Sequence, residues 1–212
     1  MERRASGIVV RVRPLTETSL IVHWITGEMG RVATVAKGAR RPKSPYAGKL
    51  DLFFSADFSY KTALRGELHT LLEVSVTDTH PKLRMDYSAL RIAAYGAAFI
   101  EQMTEADTPL PEIFDLFNGL IDHLSTGPTQ PRLVYAFELR LLAMLGTDFD
   151  AGDNRNGLVE LARDLQELPW TDLGDLKPSA EAVRRLRHAL QVYIVRQCEK
   201  LPAGRAEALS AG

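Results

Sequence analysis

Residues 30–50, GRVATVAKGARRPKSPYAGKL, begin as a β-strand and end as a basic loop. β-branched residues such as Val32 and Val35 favour the strand. Gly38 and the two prolines after it end the strand and exclude a helix. The flexible loop that we expect there carries three cations, Arg40, Arg41 and Lys43. Such a loop is either a solvated connection or a segment that grips a polyanion.

The basic loop belongs to a wider set of cations near the start of the chain. The candidate nucleic-acid-binding residues are Arg11, Arg13, Arg31, Lys37, Arg40, Arg41 and Lys43. An arginine fork reaches two phosphate oxygens, and each phosphate contact releases counterions. The aromatic residues available for base stacking are Trp24, Tyr46, Phe53 and Tyr60, of which Trp24 is expected in the core. This weak aromatic content favours contacts with the sugar-phosphate backbone. A merely solvated basic face is the alternative.

The charge is unevenly distributed along the 212 residues, although the net charge is only −1. Residues 1–50 carry ten Lys/Arg against three Asp/Glu, a balance of +7. Residues 81–212 carry fourteen against nineteen, a balance of −5. A basic end beside an acidic body is expected where one end meets nucleic acid.

The composition is that of an ordinary globular protein, with 45% apolar and 25% charged residues. No apolar run is long enough to span a membrane, and no secretory signal follows Met1. The single cysteine, Cys198, excludes an internal disulfide and a cysteine-rich metal site. A cytoplasmic protein without membrane contact is the simplest interpretation.

Residues 1–80 read as a β-domain. Five strands are predicted, at residues 6–14, 19–26, 31–37, 50–61 and 67–77. Strict alternation would put Ile8, Val10 and Val12 on one face of the first strand and Val9, Arg11 and Arg13 on the other. Five sequential strands predict a small closed barrel, because closure removes exposed edges. We expect an OB-fold, with an SH3-like barrel as the alternative.

Residues 81–212 read as a helical domain. Helices are predicted at residues 87–103, 112–124, 132–145 and 157–168, and a last long helix is capped by Ser179. The tail, residues 202–212, is small and polar enough to be disordered. The predicted fold class is therefore α+β: an N-terminal five-stranded OB-type barrel followed by an all-helical bundle.

No motif for catalysis or for a cofactor is found. The five histidines are scattered, and neither a phosphate-binding loop nor a nucleophile elbow is present. Asp148, Asp150 and Asp153 fail the register of a calcium loop and are expected to form an acidic surface turn. We therefore expect no metal and no enzyme activity, and a buried, inert Cys198.

Residues 7–44 resemble the opening of the bacterial DNA repair protein RecO. The resemblance is carried by the turn at Gly27–Gly30 and by Val35-Ala36-Lys37-Gly38-Ala39-Arg40-Arg41. It implies a nucleoid-associated recombination mediator that binds single- and double-stranded DNA and anneals strands. The implied partners are RecR and single-stranded DNA-binding protein, with RecA loaded onto the DNA. A non-DNA interaction scaffold with a working helical domain is the alternative.

The chain departs from the resembled family in one respect. Many members carry four zinc-binding cysteines after the helix corresponding to residues 132–145, whereas this chain has none there. We expect packing, through Trp170, in place of the metal. The family's helical domain binds the acidic, Phe-ended tail of single-stranded DNA-binding protein. A cleft beside Arg132, Phe137 and Arg140 would suit that tail.

Overall fold

The computed structural model describes residues 1–147, 149 and 157–210. The chain divides into two compact units. The first consists of Met1–Pro81 with Thr104–Asn118, and the second of Lys82–Met103 with Gly119–Gly212. The first unit goes beyond the barrel domain expected at residues 1–80, because it includes Thr104–Asn118. The assignment of DNA binding to one domain and a helical bundle to the other stays a prediction.

The five predicted strands close into a barrel. They are β1 (Glu2–Pro14), β2 (Leu20–Thr26), β3 (Gly30–Ala36), β4 (Ser55–Lys61) and β5 (Leu68–Asp78). The order around the barrel is β1-β2-β3-β5-β4, and β1 pairs with β4 to close it. All pairs are antiparallel except β3 with β5. This is the Greek-key arrangement of the OB-fold, so the predicted barrel is confirmed.

A β-bulge in β1 corrects the predicted alternation. The pairing with β2 shifts register between Val9 and Arg11. Val9, predicted to share a face with Arg11, is therefore buried in the barrel core while Arg11 stays exposed. One extra residue reverses which face the following side chains occupy. The bulge thus puts apolar and basic residues on opposite faces.

The predicted strand at residues 50–61 begins later than expected, at Ser55. Phe53 has a φ of 61°, which a strand does not tolerate, and its N–H donates to the Val9 carbonyl at 2.7 Å. The segment before β4 is therefore held to β1 at the site of the bulge.

The barrel core is built around stacked aromatic rings. Trp24 lies 4.1 Å from Phe58, centroid to centroid, and its indole N–H donates to Thr34 Oγ1 at 2.9 Å. The polar atom of Trp24 is thereby satisfied inside the barrel. The expectation that Trp24 belongs to the core is confirmed.

Helices follow the barrel, as predicted. They are α1 (Pro81–Met85), α2 (Tyr87–Met103), α3 (Pro111–Thr126), α4 (Arg132–Met144), α5 (Leu158–Glu167), α6 (Ala180–Cys198) and α7 (Arg205–Leu209). The predicted cap of the long helix is confirmed, since Ser179 Oγ accepts from the Ala182 N–H at 3.1 Å. In the described part of the chain, α1, α7 and a short 3₁₀ helix at Asp172–Asp175 were not predicted. Among the described residues, none of these helices combines the length and apolarity needed to cross a membrane.

The predicted disorder of residues 202–212 is wrong for the described residues up to 210. Residues 205–209 form α7, in which Ala208 and Arg205 are buried. The Arg205 guanidinium binds the fully buried Glu138 carboxylate of α4 at 2.6 and 2.9 Å. Composition suggested a solvated tail, but one long-range ion pair orders it.

Candidate nucleic-acid interface

The basic loop is a series of tight turns rather than the flexible segment that we expected. The Ala39 N–H donates to the Ala36 carbonyl, and the Arg41 N–H to the Gly38 carbonyl, at 3.3 and 3.0 Å. The Ser44 N–H then donates to the Arg41 carbonyl at 3.1 Å. Gly38, with a φ of 72°, permits the first reversal of direction. The backbone that carries the cations is therefore ordered.

Tyr46 anchors the far end of the basic loop. Its side chain is buried in the barrel core, and its hydroxyl donates to the carbonyls of Leu71 and Leu72 at 3.0 and 3.1 Å. Burial raises the pKa of Tyr46, and the Glu73 carboxylate adds to this effect. Tyr46 was predicted only as a candidate for base stacking, because no sequence signal shows that its hydroxyl reaches β5.

Arg40 joins the basic loop to the turn between β1 and β2. Its backbone N–H donates to the Thr18 carbonyl at 3.0 Å, and its guanidinium to the Thr16 carbonyl at 3.3 Å. The basic loop therefore lies beside the end of β1, where Arg13 is exposed. OB-folds use the loop between β1 and β2 to bind oligonucleotides.

Arg11 and Arg13 lie on β1 opposite β2. Arg11 pairs with His23, and Arg13 with Ile21. Burial lowers the pKa of His23 to about 4, and the charges of Arg13, Arg11 and Arg31 add to the effect. The pKa of His23, which lies on β2 and pairs with Arg11 of β1, is therefore sensitive to the positive potential that these arginines create.

We predict that an NMR titration will give His23 a pKa near 4, against an ordinary 6.5. Replacement Arg13→Gln should raise this pKa, because it removes the largest of the charge effects. Since the folded state resists protonation, the unfolded chain gains the proton first as the pH falls. Because of His23, the free energy of unfolding therefore decreases as the pH drops from 6.5 towards 4, whereas above pH 6.5 His23 does not change it.

His123 is the internal control for this titration. Its pKa is lowered by burial, against an opposing backbone hydrogen bond at Pro128, with no arginine involved. It should not respond to Arg13→Gln. An unchanged His23 pKa in the Arg13→Gln variant would contradict the claim that these arginines lower it.

Arg31 is engaged within the first unit. Its Nε donates to Thr104 Oγ1 at 3.0 Å and its Nη2 to the Thr104 carbonyl at 2.6 Å. Its own carbonyl accepts from the Asp107 N–H at 2.9 Å. These bonds fasten the segment after α2 to β3, so Arg31 has fewer donors for phosphate than the sequence suggested.

The remaining loop cations are open to solvent. Lys37, Arg41 and Lys43 are exposed, and none makes an ion pair with a described residue. Arg65, which sequence reasoning missed, is exposed between β4 and β5, the other OB-fold loop that binds oligonucleotides. A lone arginine in a polar turn gives no sequence signal.

The aromatic residues considered for base stacking are all buried. They are Trp24, Tyr46, Phe53 and Tyr60, each 8% exposed or less. None presents a ring face to a base. The cationic surface therefore suits phosphates better than bases.

The residues predicted to form a cleft in the second unit do not lie in one. Phe137 is 1% exposed. The Arg132 guanidinium donates to the carbonyls of Leu173 and Leu176 at 2.6 and 2.7 Å. Phe137 is therefore not available to a partner, and internal carbonyls take donors of the Arg132 guanidinium.

Arg140 is held in a similar way. It donates to the carbonyls of Leu165 and Leu168 and lies 4.1 Å above the Trp170 ring. The guanidinium satisfies carbonyls at the end of α5 and stacks on an aromatic face. Trp170 thus packs against Arg140 within the second unit. That this packing replaces the zinc module stays a prediction.

No group of three or more His, Cys, Asp or Glu side chains is placed to hold a metal within residues 1–147, 149 and 157–210. The acidic turn proposed at Asp148, Asp150 and Asp153 lies outside the described residues. Most of the stretch that would carry the family's zinc ligands lies there too.

The barrel order and the cationic loop beside the β1–β2 turn define an OB-fold protein with a basic face. Two family models match the chain: Recombination protein O N terminal over residues 1–80, and Recombination protein O C terminal over residues 84–152. The chain belongs to the RecO family.

Curated relatives agree with this assignment. A DNA repair protein RecO of Actinobacillus pleuropneumoniae serotype 7 is 28% identical over 215 residues, covering 89% of this chain and 88% of that protein. Those of Azoarcus sp. strain BH72 and Anaeromyxobacter sp. strain K are 34% and 29% identical, over 66% and 68% of this chain. In these two alignments the chain spans 56% of the relative's length.

Proposed function

We propose that the chain is a DNA-binding recombination mediator in DNA repair. The observation that carries the proposal is the group of exposed cations beside the β1–β2 turn of an OB-type barrel. The proposed contacts are Arg11, Arg13, Lys37, Arg40, Arg41 and Lys43. Arg31 is given a positioning role, because Thr104 already takes two of its donors. Membership of the RecO family supports the same role.

The mechanism that we propose makes and breaks no covalent bond. Two complementary strands repel each other through their phosphates, and a basic surface that binds both lowers this repulsion. Because the loop backbone is held by turns and by Tyr46, its cations are ordered before DNA arrives. This reduces the entropy cost of binding. Contact through phosphates suits both single- and double-stranded DNA.

The partners are proposed from the family alone. RecR would act with the chain on DNA covered by single-stranded DNA-binding protein, and RecA would be loaded as that protein is displaced. We do not assign the tail of single-stranded DNA-binding protein to Arg132, Phe137 and Arg140, since Phe137 is buried and the two arginines bind internal carbonyls.

Fluorescence anisotropy with a labelled oligo(dT) tests the proposal on the full chain. The logarithm of the binding constant should fall linearly with the logarithm of salt, with a slope of about −0.7 for each phosphate contact. Six proposed cations predict a slope near −4. A slope near zero, or no binding at low salt, would refute the proposal.

The alternative, an interaction scaffold with a working helical domain, lacks a supporting observation in the described residues. No residues were predicted for it. The residues predicted to bind the tail of single-stranded DNA-binding protein, Arg132, Phe137 and Arg140, make internal contacts instead. A chain that fails to bind DNA in the anisotropy experiment would favour this alternative.

A further inference from the structure

A groove of about 760 Å³ lies on the first unit and shares no residue with the proposed DNA contacts. Residues of β1, β4 and β5 line it together with residues 45–49 of the basic loop. Its polar and charged lining residues are Arg4, Ser6, Glu28, Lys49, Asp57, Ser59, Glu73 and Ser75.

A second bulge in the barrel shapes this groove. Between β4 and β5 the register shifts so that Ser59 pairs with Glu73, and Tyr60 with Leu71. Leu72 is left over and is 39% exposed beside the exposed Glu73. An unbroken alternation with the buried Val74 would also bury Leu72, and the bulge is the reason that Leu72 is exposed. The bulge thus puts an apolar surface directly next to a carboxylate.

The wall of the groove at this point is held in place. The Tyr46 hydroxyl donates to the carbonyls of both Leu71 and Leu72. The exposed leucine is therefore part of an ordered surface, because two hydrogen bonds restrain the backbone on which it sits.

Ser59 supplies an independent sign that the groove takes a ligand. Its side chain is 4% exposed and lines the groove, yet its Oγ has no hydrogen-bond partner. Buried hydroxyls are normally paired, and an unpaired one carries a desolvation cost. Cross-strand pairing puts Arg4 on one side of Ser59 and Glu73 on the other.

The charges around the groove favour a cation over a phosphate. Three carboxylates, Glu28, Asp57 and Glu73, face two cations, Arg4 and Lys49. No ion pair joins these five residues within the described part of the chain. Asp57 already accepts from Ser6 at 2.5 Å, which leaves Glu28 and Glu73. Of these two, Glu73 is the carboxylate that pairs across the strands with Ser59.

We propose that this groove binds a lysine or arginine side chain on an extended segment of a partner protein. The methylene stem of such a side chain covers Leu72, since long basic side chains bury their stems on apolar surface. Its charged head binds Glu73 and donates to the unpaired Ser59 Oγ. The occupant is therefore a basic peptide, and the site is separate from the DNA contacts.

Two blocked pentapeptides test this site by ¹H–¹⁵N NMR on the full chain: acetyl-Gly-Ser-Arg-Ser-Gly-amide and the same peptide with glutamate in place of arginine. We expect the basic peptide to bind at about millimolar concentration, with saturable shifts at Ser59, Leu72 and Glu73. Replacement Glu73→Gln should weaken binding about fivefold or more, since a charge-assisted hydrogen bond contributes 1 kcal/mol or more.

Glu167→Gln is the matched control, because it makes the same change of charge at an exposed carboxylate of the second unit and should leave peptide binding unchanged. The proposal is overturned if the basic peptide gives no saturable shifts or if Glu73→Gln binds it as well as the wild type. Equal binding of the glutamate peptide, or oligo(dT) shifting these same residues, would also overturn it.

Discussion

Replacing Arg205 by methionine is expected to lower the free energy of unfolding by about 3–5 kcal/mol. The Glu138 carboxylate is fully buried, and Arg205 is 4% exposed. The Arg205 guanidinium and the Tyr95 hydroxyl both donate hydrogen bonds to this carboxylate, the latter at 2.5 Å. Burial, and then Glu138, raise the pKa of Tyr95 well above its ordinary value. Without Arg205 a buried charge is left without its cation. Urea unfolding followed by circular dichroism measures the loss.

Two further variants distinguish the ion pair from simple loss of packing. Glu181→Ala removes a carboxylate that pairs with Arg184 and Arg185 on the surface, and should lower the stability far less than Arg205→Met, because solvent screens exposed ion pairs. Glu138→Leu combined with Arg205→Met removes both buried charges and should recover much of the stability. If Arg205→Met cost no more than Glu181→Ala, the buried pair would not order the C-terminal helix.

The triple replacement of Arg40, Arg41 and Lys43 by alanine is expected to weaken binding of oligo(dT) about 100-fold at 0.1 M salt. Three lost phosphate contacts, each with a slope of about 0.7, remove two logarithmic units at that concentration. The salt slope should become about 2 units shallower. Anisotropy measured across a salt series gives both quantities.

A control variant with the same change in net charge distinguishes the loss of phosphate contacts from the loss of net charge. Arg163, Arg184 and Lys200 are exposed cations of the second unit, and replacing all three by alanine changes the net charge equally. This variant should bind with nearly wild-type affinity. Equal weakening by both triple variants would mean that net charge, not the basic loop, governs binding.

Much of the fold could be predicted because its signals are local. Strand periodicity, the turn at residues 27–30 and the cap at Ser179 depend on residues close in sequence. The closure of the barrel was predictable, because five short strands would otherwise leave exposed edges. The strand order, with β3 parallel to β5, was not predicted. The bulges that leave Val10 and Leu72 unpaired could not be predicted, because an extra residue is accepted only where the partner strand accommodates it. They decide that Val9 is buried and Leu72 exposed.

The candidate interface also combines features that the sequence predicts with features that only the tertiary structure shows. The sequence by itself determined the family, the five strands, and the position of the cations around Gly38, since composition and spacing carry that information. Only the tertiary structure decided which arginines remain exposed. Arg31, Arg132 and Arg140 bind carbonyls that lie 25 or more residues away in sequence. Arg205 orders a tail that composition suggested was solvated. The positions of the charged residues can be read from the sequence, but long-range packing decides whether each charged side chain contacts solvent or a buried partner.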